Sequence, residues 1–338
     1  MSTAEHPGRH FKQDDFEARR WSAGTMMGLV LTDRCPVGCA HCSVSALMDD
    51  AGPEVNPRFA AQVDQLAALP DCEVVFITGG DPFVHLEELE CAVAALHAAG
   101  KRVVVHTSGY WGDDEHVAAR SRRVLERVAS VVFGVDLYHR KGVSDGALTA
   151  AMALARAQGC WVVAQVIVGT GQPDHRGYAI RMLEAALGPA WADHAEITEN
   201  PPLDQGRAAR LTRFKKPPRA AGRCDVVNRR MLRFDGEVTA CCNEAVLQGD
   251  GPAALRRRIG GDGVHGALAD LAADPLVRLV RALPTGVAYE LVSAVAGVEP
   301  QPVAGTCDAC WRTGELLARL PAEQRERLDL LARVVARR

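Results

Sequence analysis

The sequence predicts an α/β fold with a larger domain built on a parallel sheet and a smaller C-terminal domain. The first observation is that short β-rich runs alternate with helical segments over residues 25–200. The second is that the β-rich runs are largely apolar, as in strands buried on both faces. The third is that the alternation stops after Asn200, where Pro201 and Pro202 follow.

Six strands and five intervening helices account for the alternation. The predicted strands are residues 25–31, 73–78, 102–107, 130–136, 161–168 and 194–198. The predicted helices are residues 58–69, 86–99, 115–128, 147–158 and 178–187. Repeated β-α units favour a parallel sheet, so we expect a partial (β/α)6 barrel similar to an incomplete TIM barrel. The active site is then expected at the carboxyl ends of the strands.

The C-terminal part has a different pattern. Residues 207–233 contain ten lysines and arginines but one acid, Asp225. A β-hairpin is predicted at residues 231–239, followed by mostly helical residues 255–298 and an amphipathic helix at residues 323–338. The expected division of the chain is an N-terminal extension (1–24), a core (25–200), a basic linker (201–223), a second domain (224–312) and a C-terminal helix (313–338).

Composition limits the class of protein. The chain has 338 residues, of which 48% are hydrophobic and 24% charged, with a net charge of −3. This balance is ordinary for a globular protein and gives no reason to expect a nucleic-acid partner. No apolar run is long enough to cross a membrane, and the polar N-terminus has no signal-peptide core. We therefore expect a cytoplasmic protein that acts without a membrane and as a monomer.

The first group of cysteines follows the first predicted strand. In a reducing compartment, clustered cysteines favour metal ligands or reactive thiols over disulfides. Cys35, Cys39 and Cys42 can bind three irons of a 4Fe–4S cubane and leave the fourth iron open, whereas ferredoxins supply a fourth cysteine. The alternative is a zinc site, for which His41 is the only local fourth ligand. The position after the first strand of a β-α array favours the cluster.

This Cys-x3-Cys-x2-Cys loop resembles that of the radical S-adenosylmethionine (SAM) superfamily. The resemblance implies that the open iron binds SAM and that reductive cleavage of SAM yields a 5′-deoxyadenosyl radical, which abstracts a hydrogen atom. It covers roughly residues 25–200 and continues through residues 224–310.

Positions at the ends of later strands agree with this resemblance. Gly79, Gly80 and Asp81 are similar to the family's Gly-Gly-Glu segment, whose backbone and acid bind the SAM amino group, with the shorter acid here. Glycines at this place permit close backbone approach to a ligand. A plain strand-to-helix turn is the alternative.

Four further SAM contacts are implied by the resemblance. Ser108 would face the SAM carboxylate or sulfonium, and Asp136 the ribose. Gln165 lies where relatives place a polar contact, and His41 would flank the adenine. Polar lining of a barrel mouth is the alternative for Ser108, Asp136 and Gln165.

The second group of cysteines lies in the C-terminal part. Cys224, Gly236 and Cys241 resemble the opening of the SPASM/twitch extension of radical SAM enzymes, and Cys307 and Cys310 complete a set of four. The resemblance implies the shorter, twitch version with one auxiliary 4Fe–4S cluster, which suits an electron conduit because no iron is open. A zinc site with four cysteines is the alternative. Whether Cys241 or Cys242 is the ligand stays open, although the glycine spacing favours Cys241.

The resemblance to twitch enzymes also implies a reaction. Aminocyclitol and sugar dehydrogenases and epimerases of antibiotic pathways, such as 2-deoxy-scyllo-inosamine dehydrogenase, share this arrangement. A dehydrogenase would oxidise a carbinol to a ketone with the auxiliary cluster as electron acceptor. An epimerase would need a thiol as hydrogen donor, for which Cys160 and Cys242 are candidates, although buried cysteines are common core residues.

Substrate contacts are expected after the fourth strand, on the catalytic side of the barrel. Tyr138, His139 and Arg140 could bind substrate hydroxyls or a phosphate there, and a solvated loop is the alternative.

Two other classes of function are compatible with some of these motifs. Ribosomal-peptide maturases also carry SPASM/twitch extensions, but only about 24 residues precede the first strand, too few for a leader-binding domain. An electron carrier or zinc protein is disfavoured by the open three-cysteine site. The expected partners are a small sugar-like or aminocyclitol-like substrate and a flavodoxin or ferredoxin reductant, which could dock on the basic residues 207–233.

Overall fold

The computed structural model describes residues 10–49, 55–168, 174–202, 206–211 and 221–336. The chain divides into two compact units. Unit 1 consists of residues 1–211 and 232–236, and unit 2 consists of residues 212–231 and 237–338.

Unit 1 contains six parallel strands, in the spatial order β6-β5-β4-β3-β2-β1. The strands are β1 (Met26–Val30), β2 (Val74–Thr78), β3 (Arg102–Thr107), β4 (Ser130–Gly134), β5 (Trp161–Ile167) and β6 (Ala195–Asn200). The sheet is not closed, so the predicted α/β fold with a partial barrel is confirmed.

Among the described residues, unit 1 contains six α-helices, of which the first precedes β1 and was not predicted, and the other five follow strands as the alternation predicts. They are α1 (Gln13–Arg19), α2 (Phe59–Ala67), α3 (Leu86–Ala98), α4 (Glu115–Leu125), α5 (Asp145–Ala157) and α6 (His175–Leu187). Three of these helices have a side-chain N-cap. Asp114, Ser144 and Asp174 accept hydrogen bonds from backbone N–H groups in the first turns of α4, α5 and α6.

The N-terminal segment belongs to the core of unit 1. Phe11 is buried in an apolar cluster with residues of the strands, among them Met26, Val74 and Trp161. The backbone N–H of Phe11 donates to the Ser130 hydroxyl, which donates in turn to the Phe11 carbonyl. Part of the segment expected as an extension therefore completes the sheet's packing.

Unit 2 is mostly helical. Strand β7 (Arg230–Arg233) crosses the boundary between the units along the chain. The next elements are β8 (Glu237–Thr239), α7 (Glu244–Leu247), β9 (Arg256–Arg258), α8 (Gly263–Ala273), α9 (Pro275–Ala282), α10 (Thr285–Ala296), α11 (Thr306–Arg319) and α12 (Ala322–Val335). Strands β8 and β9 pair antiparallel. The boundary expected at residue 312 falls inside α11.

The turn between β7 and β8 is the one predicted around Asp235 and Gly236. The Gly236 N–H donates to the Arg233 carbonyl at 3.0 Å, and Gly236 has a φ of +82°. This left-handed backbone conformation explains why residue 236 is a glycine, because glycine adopts it without steric strain.

Ion pairs and apolar packing hold the helices of unit 2 together. Tyr289, Val303 and Ala309 are buried in one cluster. Arg278 on α9 bonds Asp329 on α12 through both carboxylate oxygens at 2.8 Å. Among the described helices, none combines the length and the apolar character needed to cross a bilayer.

Candidate functional site

The three-cysteine loop begins directly after β1. Cys35 and Cys39 are buried and Cys42 is partly exposed. The Cys39 thiol donates a hydrogen bond to Cys42, which lowers the pKa of Cys42 to about 6 and raises that of Cys39. Burial raises the pKa of Cys35 to about 11. Three thiols in one loop, two of them in direct contact, fit the donor set of a cubane with one open iron.

Arg207 anchors this loop from a distant part of the chain. Its Nε donates to the Cys39 carbonyl at 2.8 Å, its Nη2 to the Ala46 carbonyl at 3.2 Å, and its backbone N–H to the Cys42 carbonyl at 2.9 Å. The preceding Gly206 lies so close to Ser43 that a Cβ would collide with the Ser43 backbone. The sequence placed Arg207 in a basic linker, and no local signal distinguishes it from the neighbouring arginines.

Gly79 and Gly80 pack against the start of the cysteine loop. The Gly80 N–H donates to the Thr32 carbonyl at 2.7 Å. A Cβ at Gly79 would collide with the Thr32 carbonyl oxygen, and one at Gly80 with the Arg34 carbonyl oxygen. Close backbone approach was predicted here toward a ligand, but it is the chain itself that comes close. The glycines therefore position the cysteine loop against the end of β2.

Asp81 is fully buried and its carboxylate is occupied by protein donors. Oδ2 accepts from the Ser108 N–H at 2.8 Å and the Ser108 hydroxyl at 2.7 Å, and Oδ1 accepts from the Phe83 N–H at 3.1 Å. The Thr107 hydroxyl lies within 3.1 Å of both oxygens. Burial raises the pKa of Asp81 despite these bonds.

These bonds change the interpretation of Asp81 and Ser108. Both side chains were predicted to contact SAM directly, yet the carboxylate and the hydroxyl bind each other. Asp81 joins the carboxyl ends of β2 and β3, which makes it a positioning residue in this structure. Thr107, which the sequence analysis missed, also accepts a hydrogen bond from the Trp111 indole at 3.1 Å.

Asp136 organises the turn after β4. Its Oδ1 accepts from the Tyr138 N–H at 2.9 Å and the His139 N–H at 3.1 Å, and it lies 3.1 Å from His139 Nδ1. Burial would raise the pKa of Asp136, but the hydrogen bond and charge of His139 outweigh it and lower the pKa to about 2. Oδ2 lies 3.7 Å from His41 Nε2.

Aromatic side chains surround this carboxylate. The rings of Tyr138 and His175 stack with centroids 5.0 Å apart, and the rings of His41 and His139 lie edge to face at 4.6 Å. Burial lowers the pKa of His41 to about 4. A ring nitrogen of His41, one of His139 and the Cys39 sulfur all lie within 4.8 Å of one another.

The structure therefore brings the predicted residues His41, Asp136, Tyr138 and His139 beside the three-cysteine loop. His175, whose Nδ1 accepts from the Leu137 N–H at 3.0 Å, joins them without having been predicted. Gln165 lies farther along the sheet in β5, in register with Gly134 and Thr198, and is partly exposed.

Cys160 lies at the amino ends of the strands, opposite to the carboxyl ends that the three-cysteine loop follows. It precedes β5, is 1% exposed, and its thiol donates to the carbonyls of Leu125 and Val128, which precede β4. The cysteine loop follows the carboxyl end of β1, whereas Cys160 lies at the amino ends. The predicted role of Cys160 as a hydrogen donor is therefore wrong, and Cys160 is a core residue.

Four cysteines of unit 2 line one small cavity: Cys224, Cys241, Cys307 and Cys310. The remaining lining is largely apolar and includes Val227, Leu255 and Val280. Burial raises the pKa of all four thiols. Such a donor set fits an iron–sulfur cluster with four thiolates and equally a zinc ion.

Cys242 and Asn243 follow Cys241 in the chain and differ in their surroundings. Cys242 is not part of the cavity lining, and Arg229 is the nearby cation that opposes the effect of burial on its pKa. Asn243 lines the cavity, and its Nδ2 donates to the Cys307 sulfur at 3.2 Å. No sequence pattern predicted a site role for Asn243, whose identity as a helix N-cap residue is its only local signal.

A comparison with protein families bears on unit 1. The model of the Radical SAM superfamily matches residues 29–183, which include the three-cysteine loop and the ends of β2 to β5. Among curated proteins, 7-carboxy-7-deazaguanine synthase of Caulobacter vibrioides is 36% identical over 84 residues. That match covers 23% of this chain and 38% of the length of that protein.

Solved structures show similarity of fold. Native anSMEcpe with bound AdoMet and Cp18Cys peptide is 12% identical, with 91% of this chain and 99% of that chain covered and a TM-score of 0.50. BtrN in complex with AdoMet and 2-DOIA is 14% identical, with 78% and 88% covered and a TM-score of 0.43. Streptococcus suis SuiB bound to precursor peptide SuiA is 9% identical, with 69% and 63% covered and a TM-score of 0.47.

Proposed function

From the radical SAM superfamily domain that residues 29–183 form, we propose that this chain is a radical SAM dehydrogenase of a small sugar-like or aminocyclitol-like substrate. Cys35, Cys39 and Cys42 hold the 4Fe–4S cluster that binds SAM. Cys224, Cys241, Cys307 and Cys310 hold an auxiliary 4Fe–4S cluster. The substrate class follows the resemblance of the cysteine pattern to twitch enzymes.

One observation carries the proposal: the chain has two separate thiol sites of different size. The loop after β1 offers three thiols, and the cavity of unit 2 is lined by four. A three-thiolate cluster leaves an iron open for SAM, whereas four thiolates saturate a cluster and suit it to electron transfer. A dehydrogenase needs such an electron acceptor, because its substrate radical must lose a second electron to become a ketone.

The bound cofactors would supply the redox chemistry. SAM on a cluster held by Cys35, Cys39 and Cys42 would supply removal of a hydrogen atom from a carbinol carbon. A cluster held by the four cysteines of unit 2 would accept the electron that is released when the carbinol, after loss of its hydroxyl proton, becomes a ketone. The chain's own residues position these groups: Arg207 fixes the backbone of the cysteine loop, and Asp81 fixes the ends of β2 and β3. Tyr138 and His139 lie beside that loop and are the proposed substrate contacts.

Metal analysis tests the proposal. Anaerobically reconstituted protein should contain about eight irons and eight sulfides, the content of two 4Fe–4S clusters. Changing Cys35, Cys39 and Cys42 together to Ala should leave about four of each and abolish formation of 5′-deoxyadenosine from SAM. Changing the four cysteines of unit 2 should leave the other four irons and the cleavage of SAM.

The control is Cys91→Ala, since Cys91 is exposed and outside both groups. This variant should keep the full iron content. Stoichiometric zinc with iron for one cluster would contradict the auxiliary cluster, and absence of SAM cleavage by the reduced wild type would contradict the radical SAM reaction.

The reductant remains a prediction of the sequence. A flavodoxin or ferredoxin was expected to dock on the basic segment, but Lys215 and Lys216, its central residues, lie outside the described residues.

A further inference from the structure

Two arginines of unit 2 have no acceptor among the described residues. Arg281, near the end of α9, has its Nε and Nη2 atoms buried without a hydrogen-bond partner. Arg230, at the start of β7, is partly buried and makes no side-chain hydrogen bond or ion pair with any described residue. Neighbouring arginines differ: Arg229 bonds Asp225 at 3.0 Å, and Arg278 bonds Asp329 at 2.8 Å.

The two guanidinium groups are close enough to affect each other. Burial lowers the pKa of Arg281 to about 10, and the charge of Arg230 contributes to the shift. A third arginine, Arg223, donates from Nη2 to the Ala282 carbonyl at 3.3 Å, at the same end of α9. Burial of a cation without a counter-charge costs free energy, and a second cation nearby raises that cost.

The thiols of the unit 2 cavity do not explain the pair. Neither Arg230 nor Arg281 lines the cavity that the four thiols line. The interaction of Arg281 with the carbonyl end of α9 is favourable but leaves buried N–H groups without acceptors. No acceptor for these N–H groups is found among the described residues, and a bound anion would supply one.

We propose that Arg230 and Arg281 form a binding site in unit 2 for an oxyanion, a phosphate or carboxylate group of a small molecule. Guanidinium groups present parallel N–H donors that match two oxygens of such a group, and two guanidiniums neutralise its charge. Such a site differs from the three-cysteine loop and from the cavity of four thiols, and it does not depend on the proposed reaction.

The test uses the reconstituted full-length protein with inorganic phosphate as the probe. Phosphate should raise the thermal midpoint of unfolding above that in chloride of equal ionic strength, because a ligand that binds the folded state stabilises it. Calorimetric titration should show binding that Arg281→Met and Arg230→Met each weaken by about ten-fold or more, since each removes charge-assisted hydrogen bonds. Acetate as a second probe distinguishes a carboxylate site from a phosphate site.

The control is Arg319→Met, an exposed arginine of the same unit, which should bind phosphate like the wild type. In chloride alone, Arg281→Met should unfold at a higher temperature than the wild type, because methionine fills the space without a buried charge. Equal midpoints of the wild type in chloride, phosphate and acetate would overturn the proposal. So would unchanged binding in Arg281→Met, or a lower midpoint of that variant in chloride.

Discussion

At the scale of single residues, the buried carboxylate of Asp81 accepts hydrogen bonds from several protein donors. Four donors converge on its two oxygens, from Phe83, Thr107 and both the backbone and the hydroxyl of Ser108. Thr107 is the last residue of β3, and the other donors lie on the segments that follow β2 and β3. Asp81 thus determines how the carboxyl ends of two adjacent strands are held, next to the loop that carries Cys35.

Replacing Asp81 tests this positioning role. Asp81→Asn should lower the free energy of unfolding by about 2–3 kcal/mol, because an amide nitrogen would face donors in a buried site and leave them unsatisfied. SAM affinity should fall with it, as the ends of β2 and β3 lose their order. Urea unfolding and calorimetric SAM binding measure the two effects.

Asp114→Asn is the matched control for Asp81→Asn. Asp114 also accepts two backbone N–H bonds, but at the exposed start of α4, where asparagine caps a helix equally well. The free energy of unfolding and the SAM affinity of Asp114→Asn should stay near those of the wild type. If Asp81→Asn behaved like Asp114→Asn, the carboxylate would have no positioning role.

At the scale of elements, Asn243 connects the segment after β8 with α11. Its Oδ1 accepts from the Val246 N–H at 3.1 Å and so starts α7, while its Nδ2 donates to the Cys307 sulfur at 3.2 Å. Hydrogen bonds to ligand atoms orient them and tune the bound metal. The side-chain amide of Asn243 therefore caps α7 and also binds a proposed metal ligand.

The two roles of Asn243 can be separated by substitution. Asn243→Ser keeps a helix N-cap but removes the donor to Cys307, so the apo protein should unfold near the wild-type midpoint. The reconstituted variant should hold its auxiliary iron about 10–100-fold more weakly, which competition with a chelator measures. The reduction potential should also fall, because a donor to sulfur stabilises the reduced state.

Asn243→Ala loses both roles and should be less stable as apo protein as well. Wild-type iron affinity and potential in Asn243→Ser would show that the bond to Cys307 has no influence on the metal.

At the scale of the whole molecule, the fate of the substrate radical decides between dehydrogenase and epimerase. The structure removes Cys160 from the candidates for a hydrogen donor, because its thiol lies at the amino ends of the strands. Cys242 remains, and it is not part of the lining of the cavity of four thiols. No feature of the described residues around Cys242 requires a donor thiol.

A reaction in deuterated water tests this assignment. With a candidate sugar or aminocyclitol, the product should be lighter by two hydrogens, and Cys242→Ala should form it at the wild-type rate. Cys160→Ala is the matched control, a buried thiol that cannot reach the reaction. A product of unchanged oxidation state that carries solvent deuterium, lost in Cys242→Ala, would establish the epimerase instead.

The sequence predicted the sheet well because the signals are local. Each predicted strand overlaps an observed one, from Met26–Val30 to Ala195–Asn200, since apolar β-branched runs between helical segments have few other solutions. The position of Cys160 could also be predicted from the sequence, because a residue that directly precedes a parallel strand lies at the amino end of that strand. The boundary predicted at residue 312 lies inside α11, since the cysteines of the 307–310 pair lie in the first turns of a helix that continues to Arg319.

By itself, the sequence determined the α/β alternation and the three-cysteine loop after the first strand, because both depend on spacing over a few residues. Only the tertiary structure decided the partners of buried polar groups. Arg207 reaches the Cys39 carbonyl across 168 residues of chain, and Asp81 meets Ser108 across 27. Such bonds depend on which side chains the folded chain brings within about 3 Å of each other, a distance that no local pattern encodes.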